Sequence, residues 1–228
     1  MKKVISFSLW GNNQTYNIGA IKNAEDAKEF YPDFECWFYI HLGSVPKETI
    51  EKLNSFDNTK IIFKSGDLTN ENCKPRMWRF EAIDDEEVEI MMSRDTDSRF
   101  LLREKLAVEE WLQSGKLFHI MRDHPHHNFS ILGGMFDTRK IPKIPSWINI
   151  INNLNQVENR NYDQYFLTDY IYPIIKDNSI IHATFNKKES HAANFPIEYD
   201  DNYYFVGEYI YFDESRSQYH IDILKNSL

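Results

Sequence analysis

Cysteine is scarce in this chain: Cys36 and Cys73 are the 2 cysteines in 228 residues. Two thiols cannot build a disulfide framework, and their spacing matches no zinc motif. Reduced thiols in a cytoplasmic protein are therefore expected. Basic residues are also in deficit. The 26 Lys and Arg face 35 Asp and Glu, for a formal net charge of −9. That argues against the positive footprint of a general nucleic-acid binder. Long apolar runs are missing too, so no transmembrane segment is expected, and membrane contact would be peripheral. Residues 1–7 look superficially like a secretion signal. Their apolar part is short, contains Ser6, and runs on into Gly11-Asn12-Asn13 with no small-residue cleavage site. They read as a first strand instead. The glycine fingerprint of dinucleotide-binding folds is absent, since Gly11 and Gly19 alone do not make one. There is no internal repeat, low-complexity segment or linker that would divide the chain.

What is present is an α/β pattern rich in aromatics, with 13 Tyr, 16 Phe and 5 Trp. The length suits one sizeable α/β domain or a domain with a small appendage. Tyr and Trp could line a sugar or base site, although the core is the plainer place for most of them. Residues 4–9 read as a strand and 10–16 as a polar loop. Ile18, Ile21, Ala24, Ala27 and Phe30 then recur at helical spacing until Pro32-Asp33 stops the helix. Residues 34–40 read as a second strand, 46–56 as a helix and 60–63 as a third strand. This β-α-β-α-β order predicts a mostly parallel, Rossmann-like sheet flanked by helices. Residues 65–75 read as loop, 76–83 as helical and 88–92 as a strand. A helix over 101–113 is stopped at Gly115, and a strand follows at 117–121. A His-rich polar turn covers 122–130, and an apolar run with two glycines covers 131–136. Helices are expected at 145–154 and 162–175, with a short strand at 180–185. Beyond Asn186 the pattern weakens toward an irregular, tyrosine-rich cap or hairpin.

The most informative stretch is Ile90-Met91-Met92-Ser93-Arg94-Asp95-Thr96-Asp97-Ser98-Arg99. An apolar strand ends in two carboxylates with one residue between them, flanked by arginines. The end of such a strand is where open α/β sheets place ligands. Side chains at i and i+2 point the same way while the backbone stays extended. Asp95 and Asp97 can therefore hold one hard divalent cation, Mn²⁺ or Mg²⁺, through oxygen. The cation could bridge two phosphates, with Arg94 or Arg99 taking further negative charge. The chemistry suggested is transfer from, or hydrolysis of, a diphosphate compound. The plainer reading is a polar strand end followed by a helix cap.

Three further features follow in order. Gly133-Gly134 interrupts an apolar run, as a bulge or as a close approach by backbone or ligand. Tyr162-Asp163-Gln164 opens a predicted helix, where Asp163 could simply be a first-turn acid. His182 lies among apolar residues. It is either a satisfied core histidine or, since neutral imidazole suits Mn²⁺ beside carboxylates, a metal ligand.

In this order the motifs resemble those of metal-dependent glycosyltransferases of the GT-A fold, which use nucleotide-sugar donors. The layout is similar to that of the glycogenin-like retaining enzymes. The resemblance covers roughly residues 4–185. It extends to uncharacterised bacterial and viral glycosyltransferase-like proteins through Arg94 to Arg99, Arg103-Glu104, Ala107 to Trp111, Met121 to Pro125 and Gly133-Gly134-Met135. It implies one GT-A domain over 1–228, with a nucleotide-binding half at 1–100 and an acceptor-side half and cap at 101–228. It implies that Asp95 contacts ribose and metal, and that Asp97 and His182 are direct metal ligands. Gly133 and Gly134 would wall the donor sugar. Asp163 and Gln164 would contact it near the anomeric carbon, and Arg79 would turn toward the donor. Trp10 and Tyr16 occupy the position where this fold contacts base and ribose, and Arg94 would face the phosphates. The expected cofactor is Mn²⁺ or Mg²⁺, the expected donor a UDP-sugar, and the expected acceptor a glycan or glycoconjugate. Two departures stand out: Arg94 replaces the usual small or aromatic residue before the pair, and Ala183 follows His182.

The order of motifs leans toward retention of anomeric configuration. Inversion would need a carboxylate base, for which Asp123, Asp163 and Glu208 are candidates. The turn Arg122-Asp123-His124-Pro125-His126-His127 could line the acceptor side of a cleft, and Glu208 could reach the site from the C-terminal cap. Both are otherwise surface turns. Two rival readings differ in class. One is a metal-dependent phosphohydrolase with an aspartyl nucleophile, which usually carries its D-x-D at the first strand. The other is a non-catalytic nucleotide- or sugar-binding module on the same fold.

Overall fold

A computed structural model of the chain describes residues 1–66, 68, 74–140, 146–153 and 161–228. Val4, Ile5, Phe7 and Leu9 make β1 (Lys2–Leu9) buried on both faces, the signature of a central parallel strand. Asn13 then caps α1 (Gln14–Phe30), its side chain accepting the Thr15 N–H at 2.9 Å. Next come β2 (Phe34–His41), α2 (Lys47–Asn54) and β3 (Thr59–Lys64). A short helix, α3 (Lys74–Met77), runs into a 3₁₀ turn, Trp78–Asp84, and then β4 (Val88–Ser93). The remaining described elements are α4 (Leu102–Ser114), β5 (Phe118–Arg122), β6 (Phe136–Arg139), α5 (Trp147–Asn153), α6 (Tyr162–Phe166), a π turn at Leu167–Ile171, α7 (Tyr172–Ile175), a 3₁₀ turn at Lys176–Asn178, β7 (Ser179–Ala183) and α8 (Gln218–Ser227).

Among the described residues the strands form one seven-stranded sheet in the order β3-β2-β1-β4-β6-β5-β7. β1 pairs parallel with β2 and β4, β2 with β3, and β5 with β7, while β6 runs antiparallel to both its neighbours. This is the α/β, mostly parallel, Rossmann-like sheet that the sequence predicts. Period-2 alternation splits β1, β2 and β4 between two cores. Met91 packs with Val4, Trp37, Phe118, Phe136 and Trp147 on one face. Ile90 and Met92 pack with Ile5, Phe7, Phe38 and Trp111 on the other, under the small side of α1 formed by Ala20, Ala24 and Ala27. Among the described residues no helix is long and apolar enough to cross a membrane.

Three elements differ from expectation. The glycine-containing run is not itself the strand, which starts at the run's last residue, spans Phe136–Arg139 and carries Asp137 and Arg139. The predicted helix over 162–175 is broken by the π turn, because Pro173 has no N–H to continue the α ladder. A regular helix, Gln218–Ser227, closes the chain with Ile221 and Leu224 inward. The loop read over 65–75, both ends of the helix read over 145–154, and Cys73 fall wholly or largely outside the described residues. Cys36 is a buried free thiol.

Candidate functional site

The C-terminal ends of β1 and β4 lie side by side, and their loops build a cleft. After β1 the chain turns through Gly11 at φ 76°, a left-handed conformation natural to glycine. Its N–H donates to Ser44 Oγ at 2.9 Å, and its carbonyl accepts from Asn17 Nδ2 at 3.2 Å. The lip bearing Trp10, Asn12 and Asn13 is thereby fixed. Ser6 Oγ donates to the Arg79 carbonyl at 2.6 Å, and the Arg79 N–H donates to Ser8 Oγ at 3.0 Å. These two serines fasten the 3₁₀ turn, and with it Arg79, to β1. At the end of β4, Ser93 Oγ donates to the Gly133 carbonyl at 2.6 Å. Beneath the aspartate loop, Asn23 Nδ2 donates to the carbonyls of Asp95 and Thr96, each at 3.4 Å. A Cβ at Gly19 would overlap the Thr96 carbonyl.

The cleft measures about 480 Å³, and Trp10, Tyr16, Arg76, Arg79, Asp95, Asp97, Asp163 and Gln164 are among the residues that line it. That is within the range of small-ligand sites. The guanidinium of Arg79 is buried and pairs with both Asp95 and Asp163, the latter at 3.2 Å. Gln164 Oε1 accepts the Gly133 N–H at 3.1 Å. A Cβ at Gly133 would overlap Arg79 and Asp163, and one at Gly134 would overlap the Asp95 carboxylate. Four separate stretches of sequence therefore meet here: the aspartate pair, the glycine pair, Asp163-Gln164 and Arg79. A Cβ at either glycine would have to displace a charged side chain of the cleft.

The lining carries three carboxylates against two guanidinium groups. Burial, and then the neighbouring Asp95, push the Asp97 carboxyl up to about 7. Burial also raises Asp163, with Arg79 opposing. Burial and Asp97 push the Tyr16 phenol up to about 12. Two crowded, partly desolvated carboxylates are a poor arrangement on their own and a good one around a divalent cation. Among the described residues no group of three or more His, Cys, Asp and Glu gathers to hold a metal ion. A donor set limited to the two aspartates would suit an ion that takes its remaining ligands from phosphate and water, as Mg²⁺ commonly does.

Several sequence-predicted residues stand elsewhere. Arg94 does not reach the cleft. It is buried, bound to Glu104 at 2.6 Å and Asp137 at 2.7 Å, which explains why so large a residue precedes the pair. Arg99 pairs with Glu214 at 2.9 Å. His182 is not brought to the aspartates: its Nδ1 faces His119 at 2.8 Å and its Nε2 faces Glu110 at 2.8 Å. Neither nitrogen is left for an ion. Asp123 is a buried hub, bound by Arg103, Thr184 and Tyr199 side chains and by the Val206 N–H. Glu208 is held by both Nε and Nη2 of Arg216 at 2.8 Å. The His-rich turn supports the cap, with His124 stacked on Phe205 at 4.5 Å and bonded to the His220 carbonyl at 3.1 Å. Sequence reading missed Arg76, the asparagines of the lip, and Asn17, Gly19 and Asn23. The available signal was two asparagines on the small, buried side of α1, where an amide must find a partner.

No family model matches this chain, and no curated protein matches it. Among solved structures, the chain is similar to a glycosyltransferase involved in the glycosylation of the major capsid of PBCV-1. The TM-score is 0.50 at 16% identity, covering 80% of this chain and 82% of that one. The 4-diphosphocytidyl-2C-methyl-D-erythritol synthase of Anaerococcus prevotii gives a TM-score of 0.43 at 12% identity, over 74% and 84%. The first likeness establishes the class of fold, an α/β Rossmann-like sheet of the kind found in a glycosyltransferase.

Proposed function

We propose that this chain is a metal-dependent GT-A glycosyltransferase that moves a sugar from a nucleotide-sugar donor, with UDP as the nucleotide, to a hydroxyl of a glycan or glycoconjugate. The observation that carries this reading is the meeting of Asp95-Thr96-Asp97, Asp163-Gln164 and Arg79 in one cleft, with Gly133-Gly134 packed directly against these side chains. The glycosyltransferase fold likeness supports it, as does the position of the pair after β4 rather than after β1, where an aspartyl phosphohydrolase usually carries it.

Trp10 and Tyr16 at the lip would take the base and ribose. Asp95 and Asp97 would hold the cation, Mn²⁺ or Mg²⁺, which when bound neutralises charge developing on the diphosphate leaving group. Arg79 does two jobs: it orients Asp95, and it adds fixed positive charge beside the diphosphate. Gly133 and Gly134 would let Arg79, Asp163 and Asp95 pack against bare backbone on the donor-sugar side. Asp163 and Gln164 would lie along the sugar near its anomeric carbon. Of the three carboxylates considered as a base, Asp123 and Glu208 are engaged in buried ion pairs, and Asp163 is the one in the cleft. Asp163 is held by Arg79, which favours a stabilising role and hence retention of configuration.

Calorimetry with UDP tests the metal role. Binding should require Mn²⁺ or Mg²⁺, and Asp97→Ala should weaken it by at least the roughly 10–100-fold that loss of an outer-shell partner costs. Equal UDP affinity in EDTA and in the variant would sink the proposal. Turnover of a panel of UDP-sugars separates an enzyme from a binding module, and NMR of the first product gives the stereochemistry.

A further inference from the structure

Behind the aspartate pair, four side chains form an unbroken line. Asp137 Oδ2 faces His119 Nδ1 at 2.6 Å, His119 Nε2 faces His182 Nδ1 at 2.8 Å, and His182 Nε2 faces Glu110 Oε2 at 2.8 Å. Both imidazoles and Asp137 are fully buried, whereas the Glu110 side chain is 56% exposed. Proton counting constrains this line. Carboxylates at both ends only accept, so each of the three contacts needs a proton on an imidazole nitrogen. Two neutral imidazoles carry one each, which leaves one contact with two acceptors facing one another.

We infer that the His119–His182 pair holds one proton more than two neutral rings, and that this buried positive charge positions Asp95 by fixing Asp137 and, through it, Arg94. Both end groups are carboxylates. Glu110 is largely in water, and although burial works against the charge of Asp137, Arg94 and His119 hold its carboxyl below the usual range. The geometry puts the extra proton on His119, whose Nδ1 stands 2.6 Å from the fully buried Asp137 carboxylate, whereas the carboxylate facing His182 is largely in water; burial, followed by the charge of His119, pushes His182 down to about 4. The charged and titratable neighbours are Glu104, Glu110 and Arg103 from α4, Arg94 from the end of β4 and Asp137 from β6. Arg103 is itself neutralised by Asp123. Arg94 faces two carboxylates, Glu104 and Asp137, so a second positive charge against Asp137 is favourable. The mechanical link is short. Arg94 directly precedes Asp95, and its carbonyl accepts from Arg79 Nη1 at 3.3 Å, the same nitrogen that holds Asp95.

The link to nucleotide binding rests on the proposed function; the proton count does not. The test uses the full chain with ¹⁵N-labelled histidine rings, read by long-range ¹H–¹⁵N NMR at about pH 7.5, as wild type and as Glu110→Gln. A glutamine at this exposed position can donate to His182 Nε2, so two ring protons then satisfy all three contacts. The wild type should show one ring protonated on both nitrogens, and Glu110→Gln should lose that signature. Mn²⁺–UDP affinity should fall several-fold in the same variant. Two neutral rings in the wild type would overturn the charge assignment, and an unchanged imidazolium in Glu110→Gln would overturn the proton count behind it. Loss of the imidazolium with unchanged Mn²⁺–UDP affinity would overturn the positioning role. A wild type that shows the imidazolium yet binds no Mn²⁺–UDP supports the charge assignment and removes the nucleotide reading instead.

Discussion

Gly134 has no side chain because the Asp95 carboxylate stands where one would be. The substitution Gly134→Ala is therefore a local probe. The methyl group must push Asp95 out of its contact with Arg79, while β4 and β6 keep their pairing. Mn²⁺–UDP affinity should fall at least tenfold, with a change in melting temperature of only a few degrees, consistent with a cost of about 1–3 kcal/mol for a local overpacking. Undiminished affinity by calorimetry would show that Asp95 is not a ligand in this position. Asp97 offers a second test at the same scale. Its carboxyl is raised to about 7, above the ordinary value of about 3.9. Without a cation, the folded state holds a proton that the unfolded state has released. This group's contribution to stability then declines as pH rises from about 4 to about 7. A cation reverses the trend because it binds the deprotonated pair. The increase in melting temperature caused by Mn²⁺ should grow between pH 5.5 and 7.5 and then level off. A pH-independent increase across that window would remove Asp97 from the metal site.

At the scale of elements, the first half of the fold was legible because it obeys one period at a time. β1 to β4 are short apolar runs between turn signals, and α1 and α2 show helical spacing. Legibility failed where polar residues enter the sheet. β6 reads Phe-Asp-Thr-Arg, and nothing local says strand. It is one because Asp137 finds Arg94 and His119 across the sheet, partners that only the tertiary structure supplies. The same long-range logic misled the reading of His182. Its place in the chain fits a metal ligand, but the strand register opposes it to Met121 and puts His119 two residues earlier on the neighbouring strand. The aspartate and glycine pairs were legible for a better reason. A carboxylate pair ending an apolar strand and two glycines inside an apolar run are each costly unless something nearby explains them, and in this fold they explain each other.

At the scale of the whole molecule, the C-terminal cap closes over the aspartate loop by a few directed contacts. The Ile210 N–H donates to the Asp97 carbonyl at 2.8 Å, Glu214 takes Arg99 at 2.9 Å, and Tyr209 meets Tyr16 edge-on at 6.4 Å. All three contacts come from residues 209–214. That segment is held in shape by Glu208, whose two oxygens bind Arg216, while Arg216 also donates to the carbonyls of Asn202 and Tyr203. The cap is thus part of the scaffold of the site, and Glu208 is its fastening. Replacing Glu208 with Gln keeps the shape and one acceptor but removes the charge that Arg216 faces. The cost should be about 1–3 kcal/mol, lowering the melting temperature by roughly 5 °C. Mn²⁺–UDP affinity should fall with it, because the loop carrying Asp97 loses its support, and any loss of turnover should follow that weaker binding. A carboxylate acting as the base predicts the opposite pattern: turnover abolished, with melting temperature and Mn²⁺–UDP affinity unchanged. Calorimetry, thermal melting and initial rates on this one variant therefore decide whether Glu208 works through the architecture of the cap or at the reacting bond.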